Sequence, residues 1–394
     1  MHQAPILKEH PLKLLIVKFD ECDDFRDPSK INYTLVEILF LTFCGSVCGC
    51  ETYQEIVDFG ELKLDWLRKF LPFEEGIPSH DTIGRVLSML NTKQLEKALV
   101  DFSQCGIQLP NGSVINIDGK WLSRSATIKE QQTKKSKGGK QAVNMVNVYC
   151  SVVNTCLASL RVGSKEGEKD ALDEILSLLD LSHCLLTMDA GYCYTDVAEK
   201  IVGNQADYLI GLKANQPKLL AATKDLFENC PAVETYIGEQ ENTHGRLEKR
   251  TCKVLNFSNL DQQYQDQYEE VFQNWKGLNC LIKVVCKRTV KATNKTSAEA
   301  RYYISSKEQM PEKANEIVRG HWQVENNLHW ILDVHFGEDR STKRAGNSAQ
   351  NFSIIRKMAC NKLKTFDDPK VSMKRKLRKC AMDEEYLENV LQIS

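Results

Sequence analysis

The 394 residues show no excess of either charge. Fifty-two Lys and Arg against 53 Asp and Glu leave a formal net charge of −1. That sum does not announce a nucleic-acid binder, so local distribution matters more than the total. Long apolar runs are also missing. The stretch 35–50 is too short for a membrane span and is interrupted by Glu37, Gly45 and Gly49, so it reads as a buried core helix. The opening MHQAPILKEHPLKLL lacks an apolar core followed by a cleavage site, which is the pattern of a secretory signal. The fifteen cysteines are odd in number and scattered, which argues against a disulfide framework and for free buried thiols in a reducing cytosol. Only Cys44, Cys48 and Cys50 lie close together. They have no nearby His, which argues against a zinc site. There is no internal repeat and no low-complexity tract. At 42% hydrophobic and 27% charged, the chain reads as a soluble globular protein of two or three domains.

Three acids carry the most information. Asp118 ends an apolar run in VINIDGK, Asp189 ends a second in CLLTMDAGY, and Glu325 lies within the helix-like segment RGHWQVENNLHWILDV. An Asp at the end of a buried strand is costly unless it is paired, hydrogen-bonded or metal-bound. A turn-initiating Asp-Gly explains Asp118 alone, but the same local pattern recurs at Asp189. Two strand-end carboxylates and one helix carboxylate can converge through the fold to hold two divalent ions about 4 Å apart for phosphodiester chemistry. Hard oxygen ligands select Mg²⁺ or Mn²⁺ over zinc. His321, Glu325 and His329 stand four apart and form an alternative zinc face, but no Cys or further His completes it. Val324, Leu328, Ile331 and Leu332 make the apolar stripe of this helix, with Glu325 at its edge. Trp322 and Trp330 read as packing residues.

Basic residues cluster where the total does not. Segment 340–379 holds 13 Lys or Arg against Asp367 and Asp368. Lys134, Lys135, Lys137 and Lys140 form a second group, and Lys283, Lys287, Arg288, Lys291 and Lys295 a third. Each is either a solvated face or a phosphate-binding surface. Lys213 and Asn215 follow the strand DYLIGLK and are candidates for phosphate contact as well as for a plain loop. Arg246 is a candidate for holding a phosphate or a flipped end base. Arg85 is a candidate groove-reading residue of a helix-turn-helix kind, with an amphipathic core helix as the alternative.

The organisation is an arm over 1–31, a helical domain over 32–108, an α/β domain over 109–364 and a basic tail over 365–394. In the helical domain, TLVEILFLTF opens one helix and YQEIVDFG closes a second, with Gly60 as its stop. Ser79 or Asp81 caps a third, and TKQLEKALVDF makes a fourth. Three strand patterns, SVINID, AVNMVNVYCSVVN and TCLASLRVG, turn at Asn154 and lead into strand–helix units. This succession matches a ribonuclease H-like core. The pattern breaks at about 216–300, which reads as a mainly β insertion before the last catalytic helix.

The motifs GIPSHDTIGRVL, INIDGKWLSRS, LLTMDAGYC, DYLIGLKANQ, HGRLEKR, RYYISS and HWQVENNLHWILDVHFGED together resemble the DDE insertion-sequence transposases, in the H-repeat-associated (Rhs-linked, ISAs-type) branch. The resemblance runs over almost the whole chain. It implies an α/β ribonuclease H-like fold preceded by a helical associated domain, with Asp118, Asp189 and Glu325 as catalytic and metal-binding residues. It further implies cleavage and strand transfer at element ends, and as partners the terminal inverted repeats and target duplex. A homodimer on DNA and a bacterial cytoplasmic, nucleoid-associated location are expected, with no membrane. The alternatives are a DNA-binding remnant that has lost catalysis, and a nuclease that shares the core without transposing. Related enzymes carry Tyr, Arg and Lys around the catalytic Glu at spacings that here fall on Val318, His321 and Leu332; Arg319 and His321 are the candidates to serve instead. GSKEGEKDA has Gly167 where Asn is usual. Neither change removes a metal ligand.

Overall fold

The computed structural model describes residues 11–105, 107–126, 142–163, 167–243 and 245–392. The basic group Lys134, Lys135, Lys137 and Lys140 lies outside the described residues, as do Lys165 and His244.

The chain begins with five main helices: α1 (Pro11–Asp20), α2 (Leu35–Val47), α3 (Tyr53–Leu62), α5 (His80–Met89) and α6 (Thr92–Gln104), with the short α4 (Leu64–Leu67) between α3 and α5. Within the expected arm, Leu12, Leu15 and Phe19 are buried and fasten α1 as a helix. Reciprocal caps start α2 and α3. Thr34 and Thr52 accept from the backbone N–H of Glu37 and Glu55, whose carboxylates accept in return. Such caps contribute about 1 kcal/mol each. Ser79, rather than Asp81, caps α5. Gly60 does not stop α3. It lies inside the helix, where a Cβ would come within 2.9 Å of Ile77 and Leu41. Its lack of a side chain serves close packing.

Next come β1 (Val114–Leu122), β2 (Val143–Cys150) and β3 (Thr155–Val162), then α7 (Gly167–Leu178), β4 (Leu185–Met188), α8 (Thr195–Gly203), β5 (Asp207–Leu212) and α9 (Pro217–Asn229). Strands β6 (Glu234–Ile237), β7 (Glu241–Thr243) and β8 (Arg246–Asn256) precede α10 (Gln262–Phe272), β9 (Cys280–Val290) and β10 (Lys295–Ser305). The chain ends with α11 (Pro311–His321), a π-helical turn over Glu325–His329, α12 (Trp330–His335), α13 (Ser348–Thr365), α14 (Met373–Met382) and α15 (Glu384–Leu391).

Two compact units divide the chain. The first takes residues up to 109, 119–167 and 325 onward. Its centre is α13, buried on every side, against which α2, α5 and α6 pack. A helix buried all round needs its polar side chains satisfied from within. Asn351 donates to the carbonyls of Leu87 and Leu90, and Asn361 to that of Cys156. In the same unit β2 and β3 form an antiparallel hairpin that turns at Asn154, whose φ is 54°.

The second unit takes residues 110–118 and 168–324. Here β1, β4 and β5 run parallel, and β10, β9, β8 and β6 continue the sheet antiparallel, with β7 on β8. The segment expected as a mainly β insertion is therefore part of this sheet, because β10 pairs with β5. It also contributes α9 and α10, which the broken sequence pattern did not announce.

Candidate active site

One face of the second unit's sheet changes chemistry in three steps. At the bottom Val114, Leu185 and Leu209 pack with Ala314, Ile317 and Val318 of α11. One pleat further on, Asn116 and Thr187 lie side by side, since Asn116 is in register with Thr187. The Thr187 hydroxyl donates to Asn116 Oδ1 at 2.6 Å and lies 3.0 Å from His321 Nδ1. A hydroxyl has one proton, so the His321 Nδ1–H is the donor in the second contact. Burial lowers the His321 pKa, while the charge of Asp189 acts to raise it.

The third step is acidic. Ile117 is in register with Met188, the last paired position, so Asp118 and Asp189 are the next residues out from two neighbouring parallel strands, whose spacing is about 4.8 Å. Asp118 does not end its strand as its sequence suggested. β1 continues four residues beyond it, and Asp118 is half-exposed. Asp189 is exposed just past β4, and its Oδ1 accepts from Gly191 N at 2.8 Å, opening a tight turn. Asn215 donates to Ala190 O at 2.9 Å, and Gln216 to Cys193 O at 2.8 Å, bracing that turn from the loop after β5. Asn215 thus holds the Asp189 turn, a role its sequence did not reveal.

Gly191 matters by position. A Cβ there would stand 2.9 Å from Asp189 Oδ1. Gly191→Ala is expected to push this carboxylate aside, weakening Mn²⁺ binding by roughly tenfold with little change in melting temperature, since about 1.4 kcal/mol at one ligand is a factor of ten. Calorimetric Mn²⁺ titration checks it; unchanged affinity would mean the turn does not position Asp189.

The remaining candidates of this unit are dispersed. Lys213 is exposed beyond β5, and Arg246 is exposed at the start of β8. Arg319 makes a two-pronged pair with Glu241, its Nη2 at 2.7 Å. Trp322, expected in packing, is 46% exposed and lies against the Arg301 guanidinium at 4.9 Å.

Glu325 belongs to the first unit and opens the π-helical turn, exposed to solvent. Such turns are wider than an α-helix, are costly, and recur at functional sites. Val324, Leu328 and Leu332 are buried as the stripe required and Ile331 is half-buried, whereas Trp330 is 53% exposed and, among the described ring contacts, meets only the His335 ring, edge-on at 5.3 Å. Arg85 is exposed on α5.

The same unit holds a charged network that the sequence did not signal. Lys120, two residues past Asp118 on β1, is buried. Its ammonium pairs with Asp333, with Glu338 at 2.9 Å, and donates to the carbonyl of His329 at 3.3 Å. That carbonyl closes the turn which Glu325 opens. Burial would raise the Glu338 pKa, but Lys357, Lys120 and hydrogen bonds outweigh it and hold the group at about 2. His329 Nε2 lies 3.1 Å from Asn147 Nδ2, so the amide donates to a neutral ring. Burial and the Lys120 and Lys357 charges lower its pKa to about 3. The alternative zinc face therefore finds one of its His rings already engaged by Asn147.

The 340–379 segment is not one basic surface. Arg356, Lys357, Lys362 and Lys376 are buried. Arg356 donates to Glu51 O, and Lys376 to Leu363 O and Phe366 O. Lys374, Arg375 and Arg378 of α14 do face solvent.

Among the described residues, no three His, Cys, Asp or Glu side chains are grouped to hold one ion. Asp118 and Asp189 supply a pair of adjacent oxygen donors, and hard cations take such donors. All fifteen cysteines are free thiols. No described helix is long and apolar enough to cross a membrane.

Comparison with known proteins finds family matches and relatives along almost the whole chain. The family described as Transposase DDE domain matches residues 110–362, and the one described as DDE_Tnp_1-associated matches residues 16–103. YncI of Escherichia coli O157:H7, named as a presumed transposase, is 38% identical, over 93% of this chain and 92% of its own length. YhhI of Escherichia coli strain K12, named as a presumed H repeat-associated transposase, is 35% identical, over 96% of this chain and 98% of its own. A solved synaptic complex of piggyBac transposase with hairpin DNA aligns with a TM-score of 0.48 at 11% identity, covering 99% of this chain and 83% of that one.

Proposed function

From the premise that the chain belongs to the DDE transposase family, in its H-repeat-associated group, we propose that it cuts and rejoins DNA at the ends of an insertion sequence. Asp118 and Asp189, with Glu325, would hold two Mg²⁺ or Mn²⁺ ions. The observation that carries this reading is the β1–β4 register, which leads Asp118 and Asp189 out together just past the polar step of Asn116 and Thr187. Glu325 follows His321 by four residues, a tether of at most about 14 Å. The bound ions would supply Lewis-acid activation of the attacking oxygen and stabilisation of the leaving one.

The chain's own residues do the positioning. Gly191 N–H and Asn215 fix the Asp189 turn, and Thr187 and Asn116 fix the His321 ring. Lys120 anchors the last carbonyl of the Glu325 turn. Lys213, Arg246, Arg319 and Arg85 are the candidates for DNA contact, and Arg319 would have to exchange Glu241 for a phosphate. The substrates are the terminal inverted repeats and a target duplex, bound by a homodimer in the bacterial cytoplasm. Free cysteines suit that compartment.

The experiment is incubation of purified protein with a duplex carrying the DNA that flanks its gene, with Mg²⁺ and with EDTA. Mg²⁺-dependent nicks at the element boundary followed by joining to a second duplex are expected. Nicks scattered without regard to the boundary, and no joining, would indicate a non-transposing nuclease.

A further inference from the structure

The two faces of the β8–β9–β10 ribbon handle charge in opposite ways. On the face shared with the acidic pair, three arginines have carboxylate partners, and only Arg246, at the exposed end of β8, has none among the described ion pairs. Arg250 lies 2.9 Å from Glu248, Arg288 lies 3.2 Å from Glu248, and Arg301 lies 2.9 Å from Glu299. The other face carries lysines set against each other. Lys249 is directly opposite Lys287, and Lys253 is directly opposite Lys283. By alternation the neighbours of these four on β8 and β9 are Leu247, Thr251, Leu255, Leu281, Val285 and Thr289. β10 adds Thr296, Ala298, Ala300 and Tyr302, and β6 adds Thr235 and Ile237. No Asp or Glu of β6, β8, β9 or β10 shares this face. Among the described residues, none of the four lysines has an ion-pair partner at the distances found for the arginines.

Like charges directly opposed on an antiparallel pair destabilise it. One pair is partly relieved, since the Lys283 ammonium lies 5.5 Å from the centre of the Tyr302 ring and 6.0 Å from that of Phe227. Lys249 and Lys287 are exposed. A ribbon that pairs three arginines internally on one face and sets four lysines against each other, without an acid, on the other presents that second face to an external polyanion. The two lysine pairs are four residues apart along the strands, about 14 Å. That is comparable with the roughly 12 Å width of a DNA major groove, so one pair can meet each bordering backbone.

We propose that this face binds the phosphates of duplex DNA, away from the face that carries Asp118 and Asp189. It rests on the proposed DNA-cutting function and adds to it an accessory surface for a stretch of duplex that is not being cut. Its contacts are to phosphate alone, so they carry no sequence information.

The test is a Lys249→Gln/Lys253→Gln/Lys283→Gln/Lys287→Gln protein. Its control is Lys218→Gln/Lys276→Gln/Lys307→Gln/Lys313→Gln, which removes the same charge from exposed lysines elsewhere in the unit. Duplex affinity is measured against salt concentration. The ribbon variant should lower the slope of log affinity against log salt by about 3 to 4, near 0.9 for each phosphate contact. The control should lower it far less. At saturating DNA, nicking by the ribbon variant should match wild type, and its thermal stability in low salt should not fall. Equal slopes for the ribbon variant and wild type, or equal losses in both variants, would overturn the proposal. Wild-type protein that binds and nicks DNA while the ribbon variant binds equally well removes only this surface. Wild-type protein that binds no duplex removes the cutting function with it.

Discussion

Asp118→Asn and Asp189→Asn proteins are each expected to lose Mg²⁺-dependent nicking by about 10³-fold or more while keeping their fold and their affinity for duplex DNA. The loss corresponds to removing several kcal/mol of metal-derived stabilisation. The structure explains why chemistry and stability separate. Asp118 is half-exposed and Asp189 exposed, so neither carboxylate lies in the core. Asn keeps the shape, and at position 189 its oxygen can still accept from Gly191 N. Two carboxylates on neighbouring strands repel, so either amide should leave the metal-free protein as stable as before or slightly more so. Nicking rates at saturating Mg²⁺, set beside thermal melts, separate the two effects. Parallel loss of melting temperature and nicking would make the acids structural.

Lys120→Met should produce the largest loss of stability, about 3 to 5 kcal/mol, because it strands the buried Glu338 and the half-buried Asp333 without their shared cation. Chemical denaturation measures it, and a change under about 1 kcal/mol would mean the network is dispensable. The pH dependence has a definite sign. Folded Glu338 sits below its ordinary value, so the stability it contributes is full above about pH 4.5 and is lost as pH falls toward 2. Wild type should weaken across that window. With Lys120 gone the folded pKa rises, so the acid-dependent part of the loss should shrink. Because Lys120 also holds the His329 carbonyl, nicking should fall in the variant even at temperatures where it stays folded.

What the sequence made legible follows from local rules. The cap at Ser79, the turn at Asn154 and the buried stripe positions Val324, Leu328 and Leu332 all obey short-range patterns, and the structure repeats them. The adjacency of Asp118 and Asp189 needed sheet register, which the matching strand patterns only hinted at. The Lys120–Asp333–Glu338 network was invisible because Lys120 lies more than two hundred residues from both acids. Nothing local distinguishes a buried Lys from a solvated one. The same blindness made 340–379 look like a single basic surface, when Arg356 and Lys357 are turned into the core of the first unit. The opposed lysines were also hidden: Lys283 and Lys287 stood out in the sequence, while their partners Lys253 and Lys249 emerge only from strand pairing. Gly60 failed in the other direction, since a helix stop and a close helix contact leave the same letter.

Glu325 is the decisive residue for the proposed metal-dependent cutting, because it alone of the three acids is carried by a helical turn of the first unit. The measurement is Mg²⁺-dependent nicking of an end-containing duplex by Glu325→Gln protein, alongside its Mn²⁺ binding and its melting temperature. A folded protein that binds the duplex, binds Mn²⁺ more weakly and does not nick is expected. Nicking at the wild-type rate by folded Glu325→Gln protein would contradict the proposed cutting.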